Sequence, residues 1–115
     1  MDNMLINHNT EWERFEVLSD GRVIGKAAYK DYDDGRQRIF YHTVINEEYG
    51  GQGLAGKLAT EALDQTVAAG MKIVPVCAFI KKFVAKYPEY QAHVVAATPA
   101  HLSFLTEARN QSARV

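Results

Sequence analysis

The chain has 115 residues, 47% hydrophobic and 23% charged, with a formal net charge of −1. That length suits one domain with a real core, and near-neutrality removes any bulk electrostatic reason to hold nucleic acid or an anionic membrane. No run approaches the roughly 20 apolar residues of a membrane span, and the opening MDNMLINHNTEWE lacks the basic and apolar regions of a signal peptide.

One cysteine, Cys77, cannot close an internal disulfide, and a reduced, cytoplasmic protein is expected. Four histidines are scattered without the paired spacing of a zinc site, so no metal is expected.

Residues 13–18 (ERFEVL) and 22–30 (RVIGKAAYK) flank Ser19-Asp20-Gly21, and Asp-Gly is a tight-turn signal. A third extended run, 36–45 (RQRIFYHTVI), follows Asp33-Asp34-Gly35. These predict three antiparallel strands in a meander, with no element before Glu11. Strict alternation in the third puts Ile39, Tyr41, Thr43 and Ile45 on one face and Phe40, His42 and Val44 on the other.

After the glycine-rich stretch, Leu54, Leu58, Ala62, Leu63 and Val67 recur at helical spacing, and Gly70 supplies the stop. KIVPVC (72–77) reads as a short buried strand, with Pro75 pointing to an edge. A second helix over 78–86 carries Ile80, Phe83, Val84 and Tyr87 on one stripe and Lys81, Lys82 and Lys86 on another, and Pro88 stops it. Thr98-Pro99 is a cap followed by a first-turn proline, so AHLSFLTEARN is expected to be helical and QSARV frayed. The layout is β-β-β-α-β-α, an α+β domain with a mixed sheet. Residues 1–94 are expected to form the domain and 95–115 an extension.

The stretch NEEYGGQGLAGKL (46–58) fits three phosphate-loop patterns. Gly51 to Gly56 matches G-x-G-x-x-G, but that motif belongs after the first strand of a parallel βαβ unit. An acidic residue should also follow about 20 positions later, and the next strand ends Val76-Cys77 without one. Gly51 to Lys57 matches the front of a P-loop, but the residue needed to hold magnesium is Leu58 rather than Ser or Thr. The third pattern is a strand, a glycine turn and a helix. It offers unpaired backbone N–H groups and the positive end of the helix dipole. Such a site holds an anion without a metal, and glycine lets a bulky pyrophosphate approach the main chain.

On these residues the chain resembles the GNAT superfamily of acetyl-CoA-dependent N-acetyltransferases, in a small single-domain branch. GGQGLA (50–55) looks like its acetyl-CoA loop, Q/R-x-x-G-x-G/A. HTVINEEYGGQGLAGKL (42–58) and VPVCAFIKKFVAKYPEY (74–90) carry the wider likeness, which spans roughly Glu11 to His93. Gly50 replaces the usual Arg or Gln, and Ala78 stands where the branch often has proline.

The resemblance implies a GNAT-like fold whose third strand and Lys72–Cys77 strand run parallel and splay apart. Acetyl-CoA would lie in the gap, its pantetheine on Thr43, Val44 and Ile45. Its pyrophosphate would lie on Gly50, Gly51, Gln52, Gly53, Ala55 and Gly56, with Lys57 and Phe79 alongside. The thioester would emerge near His42, Thr43 and Cys77. The implied activity is transfer of an acetyl group to a primary amine, such as a protein lysine, a polyamine or another small amine. The alternative is a CoA-binding or protein-interaction module with little or no transferase activity.

Cys77 is either a transient acyl carrier, which needs its thiolate favoured by a helix N-terminus or a cation, or a small hydrophobe lining the site. His42 is either a general base for the incoming ammonium or a hydrogen-bonded strand residue. Lys81, Lys82 and Lys86 either meet the 3′-phosphate of CoA or face water. Glu47 and Glu48 either face water or steer a cationic acceptor.

Overall fold

The computed structural model describes residues 4–113. Five strands form one sheet in the order β1-β2-β3-β4-β5: β1 Met4–Asn9, β2 Arg14–Ser19, β3 Arg22–Tyr32, β4 Gln37–Ile45 and β5 Lys72–Pro75. Three helices, α1 Leu54–Ala68, α2 Ala78–Lys86 and α3 Pro99–Ala113, complete it. The α+β class and mixed sheet are as expected, because β1 to β4 pair antiparallel and β5 joins β4 in parallel. Pro75 ends β5, the last strand of that order.

The meander gains a strand that its sequence conceals. In β1 the positions packed toward the core are Met4, Ile6 and His8, and one of the three is polar. Asn7 and Asn9 turn the other way and donate to the Glu16 carboxylate. A histidine on the inner face and an exposed Leu5 on the outer blur the apolar alternation that marks a half-buried strand.

Asp20 and Gly21 both take positive φ, +50° and +83°, as a two-residue hairpin turn between β2 and β3 requires. The helices stop on local signals too. At the end of α1, Gly70 takes φ +77°, its N–H donates to Val67 O and the Met71 N–H donates to Thr66 O. That pair of bonds is the Schellman arrangement. At the start of α3, the Thr98 N–H donates to Nδ1 of His101 at 2.9 Å, and the His101 N–H returns a longer bond to the Thr98 hydroxyl. The α3 helix runs through Ala113, so the fraying expected from Gln111 does not begin there. Residues 114 and 115 lie outside the described residues.

The helices divide the two faces of the sheet. Leu54, Leu58, Ala59, Ala62 and Leu63 of α1 and Ile80 and Val84 of α2 bury against Phe15, Val17, Ile24, Ala27, Tyr29 and Phe40. On the opposite face, Leu105 of α3 closes over Ile39 and Val74, with Tyr32, Tyr41 and Phe104 around them. His101 fixes this helix further by bonding Gln37 Oε1 through Nε2 at 2.7 Å.

A buried polar cluster sits on the α1 side. Arg38, 8% exposed, pairs with Asp31 through two bonds of 2.7 and 3.1 Å and lies 4.0 Å over the Tyr29 ring. Tyr29 OH meets His8 Nε2 at 2.6 Å, and His8 stacks on Phe15 at 4.0 Å. Burial, then the Arg38 charge, lowers the His8 pKa and leaves the ring neutral near pH 7. Burial raises the Tyr29 hydroxyl above its ordinary value.

One irregularity matters more for function than any element. Tyr29 pairs with Phe40 and Ala28 with His42, so Tyr41 is an extra residue in β4, a β-bulge. The strand alternation therefore reverses at Tyr41. Ile39 and Tyr41 join the α3 face as read from the sequence, but Ile45 packs into the α1 core. Thr43 goes with Ile45, and His42 and Val44 go to the α3 face. Uniform alternation is corrected here, because a bulge inserts one side chain without a partner.

Candidate functional site

Pairing between β4 and β5 runs from Gln37↔Lys72 to Phe40↔Pro75 and stops one residue before the bulge. Phe40 O accepts the N–H of both Val76 and Cys77, at 3.0 and 3.1 Å, and the chain then turns into α2 with Cys77 as its N-cap. β4 continues to Ile45. Among the described residues, no strand pairs with its outer edge beyond Phe40. The two strands thus open into a wedge, with Thr43 on one arm and Cys77 on the other. Their side chains meet across it, Oγ1 to Sγ at 3.5 Å.

Beyond Ile45 the loop is pinned by Asn46 N–H to Ile24 O at 2.8 Å. A single 3₁₀ turn over Glu47–Tyr49 follows, and half-buried Tyr49 packs on the core. Gly51 and Gly53 then take φ +79° and +72°, which only glycine adopts cheaply in succession with so short a span between. Gly53 caps α1 from the left-handed region, and Leu54 and Leu58 lock the first turns into the core.

No acceptor among the described residues takes the amides of Gly51 to Gly56; the first bonded one is Lys57 N–H, to Gly53 O. These orphan donors at the positive end of a 15-residue helix form an anion cradle. No acidic residue occupies the first turn to oppose an anion. Glu48 is drawn aside by Arg22 at 3.1 Å.

Gly56 leaves open space beside these amides. Its φ is ordinary for a helix, and a Cβ built there would touch nothing within 4 Å. Packing does not demand glycine, and helix propensity disfavours it. The vacant space belongs to a groove of about 470 Å³ walled by Gly53, Gly56, Lys57, Thr60, Glu61, Phe83 and Tyr87. Backbone donors, one lysine and an aromatic wall suit a phosphate-bearing ligand at the loop end, while Glu61, two turns into α1, accepts a bond from Gln65 at 2.8 Å. Lys86 approaches the same wall, 5.6 Å from the Tyr87 ring centroid, while Lys81 and Lys82 are exposed.

The family of GCN5-related N-acetyltransferases matches residues 14–94, which include the wedge, the loop and α2. The chain belongs to this family.

GCN5-related relatives agree in fold. A GCN5-like protein of Staphylococcus aureus superposes with a TM-score of 0.65 at 24% identity, covering 88% of this chain and 97% of that one. The Escherichia coli family member YhbS, solved in complex with CoA, gives 0.52 at 26% identity over 67% of this chain and 43% of its own. In sequence, Protein NATD1 of Gallus gallus is 29% identical over 91 residues, 77% of this chain and 83% of the relative. The Mus musculus NATD1 is also 29% identical, over 83 residues.

The sequence-selected positions divide by place. Gly51, Gln52, Gly53, Ala55 and Gly56 form the cradle, and Gly50, with its N–H bonded to Glu47 O, leads into it. Lys57 is on the groove wall. Phe79 is half-buried at the start of α2, 6.0 Å from the Phe83 ring. Thr43 and Cys77 meet in the wedge, and Val44 and Ile45 lie along its free strand edge. His42 is exposed on the α3 face, away from Cys77, as the register partner of Ala28. Tyr41 is on the face expected for it, but its place at the point of the bulge has no sequence signal, because nothing in a strictly alternating strand announces an extra residue.

Proposed function

We propose that the chain is an acetyl-CoA-dependent N-acetyltransferase acting on a primary amine. One observation carries this reading: β4 and β5 part at the bulge, leaving a wedge at Thr43 and Cys77, and the same β4 strand leads into six unpartnered amides at the α1 N-terminus. Acetyl-CoA has a pyrophosphate for those amides and an extended pantetheine arm for the free edge of β4. A CoA complex of YhbS, which shares the fold, supports the choice of ligand.

The chain's own groups then divide the work. The amides of 51–56 and Lys57 bind the anion, and the half-buried pair Thr43 and Cys77 lines the acyl end. The backbone at the wedge supplies a donor to polarise the thioester oxygen, the preorganised type of stabilisation that dominates acyl transfer. The amine arrives on the α3 face, where His42 stands exposed and takes its proton. The nitrogen bonds the acetyl carbon as the carbon–sulfur bond breaks, leaving amide and CoA thiolate. Cys77 is placed to line this reaction rather than to carry the acetyl group.

Two variants test the division. Cys77→Ala and His42→Ala are expected to keep the stabilisation that acetyl-CoA confers on unfolding. Turnover should fall, by about 10²-fold or more where a general base is lost. Unchanged turnover in His42→Ala would remove it from the mechanism. Retained binding with no turnover of any amine by the wild-type chain would instead favour a CoA-binding module.

A further inference from the structure

A second cavity, about 690 Å³, opens on the face of the sheet opposite α1. Its floor is Ala28, 7% exposed and the smallest residue on that face of β3. Ala28 is the register partner of His42, and directly paired residues place their Cβ atoms ~5 Å apart on one face. Tyr41, the bulge residue where the wedge opens, lines the same cavity. The cavity therefore adjoins the point where an amine must enter.

Its charges are not those of a site for a polycation. Arg14, Lys26, Lys30 and Arg109 line it against Glu11 and Glu13. Glu13 is engaged by Lys30 at 2.6 Å, and Arg14 is engaged by Glu16 at 2.6 Å. Lys26, Arg109 and Glu11 make no ion pair among the described residues, which leaves an excess of positive charge. Arg109 reaches over from α3 and lies 4.9 Å above the Tyr41 ring. Trp12, 67% exposed, lines the same cavity from the β1–β2 turn, with Arg14 5.3 Å from its ring. A large aromatic left in water beside cationic groups is an unusual use of tryptophan, and one suited to contact with a ligand.

We infer that this cavity is the acceptor site and that it selects a small primary amine bearing its own anionic group, a carboxylate or a phosphate. Lys26 and Arg109 hold the anion, Trp12 and Tyr41 flank the body, and the amine is directed toward His42 and the wedge. A polyamine or a lysine in a basic peptide meets repulsion from the same cations. The inference rests on the transferase reading and narrows its substrate.

Matched pairs that differ only in the anion test it: phenylalanine against phenethylamine, and phosphoethanolamine against ethanolamine, with spermidine as the polycation. Acetyl-CoA-induced stabilisation is measured first, and its absence would overturn the transferase reading itself. With that stabilisation present, the acidic member of at least one pair is expected to be favoured 10-fold or more in kcat/KM. Which pair responds distinguishes carboxylate from phosphate. Trp12 is the only tryptophan, so its fluorescence should respond to the favoured amine without any acetyl donor.

Lys26→Gln combined with Arg109→Gln should erase the preference while leaving acetyl-CoA binding unchanged. Ala28→Leu should fill the floor and abolish the fluorescence response. Equal or reversed preference, spermidine as the best acceptor, or no acetylation of any amine by a chain that binds acetyl-CoA would each overturn the inference. So would a preference that survives the double substitution.

Discussion

Gly56 separates folding from binding at a single atom. Within a helix, Gly→Ala normally stabilises by up to roughly 0.5–1 kcal/mol, and at half-buried Gly56, the third residue of α1, no neighbour stands within 4 Å of the added methyl. Gly56→Ala should therefore raise the unfolding midpoint of the chain without ligand and weaken acetyl-CoA, because the methyl enters the groove beside the cradle amides. Paired unfolding curves with and without acetyl-CoA check both halves. A variant that loses stability, or that binds as well as the wild type, would mean the groove does not hold the ligand at Gly56. The glycine spacing was legible in the sequence because backbone demands act locally. The division of Thr43 from His42 was not, because it depends on a bulge set by pairing with β3. Trp12 reads from the sequence as core or rim and is exposed, but its meeting with Arg109 was hidden, since only the folded sheet brings residues so distant in sequence to one cavity.

At the scale of elements, the strands and helices with strong punctuation were readable: Asp20-Gly21, Gly70, Pro88 and Thr98-Pro99 each mark a boundary that the fold uses. β1 was not, because His8 occupies an inner position by virtue of stacking on Phe15 and bonding Tyr29. The α3 helix is capped by Thr98 and His101 and sits on the far face from the cradle. We propose that α3 adds to the unit of residues 1–94 on its acceptor side, through Arg109, and contributes nothing to the donor cradle. Thr98→Ala is accordingly expected to cost about 0.5–2 kcal/mol of stability with acetyl-CoA affinity unchanged. Denaturant unfolding and a ligand titration on the same variant decide this. A large loss of affinity would tie α3 to the donor site.

For the whole molecule, half-buried His8 and buried Glu16 both make stability fall as pH drops. The folded His8 pKa lies below 6.5, so the unfolded chain takes up that proton first, and stability falls as pH drops below 6.5. For Glu16, burial raises the carboxyl, but hydrogen bonds from Arg14, Asn9 and Asn7 outweigh it and hold the pKa below 4.5. Its contribution is complete above 4.5 and is lost as pH falls through the lowered value. Unfolding free energy should therefore decline in two stages, and His8→Gln, which keeps a partner for Tyr29, should flatten the upper one. An unchanged slope between 4.5 and 6.5 in that variant would exclude His8 as the source.

The central claim, that the cradle and wedge hold acetyl-CoA, is tested most directly by thermal unfolding with acetyl-CoA, CoA, ATP–magnesium and NADH at matched concentrations. At ~100 times its dissociation constant a bound ligand adds about 2.7 kcal/mol, several degrees for a chain of this size. Stabilisation by acetyl-CoA and CoA alone is the predicted result. No shift with either would contradict the claim, and a shift with only ATP or NADH would assign the glycine loop to a nucleotide instead.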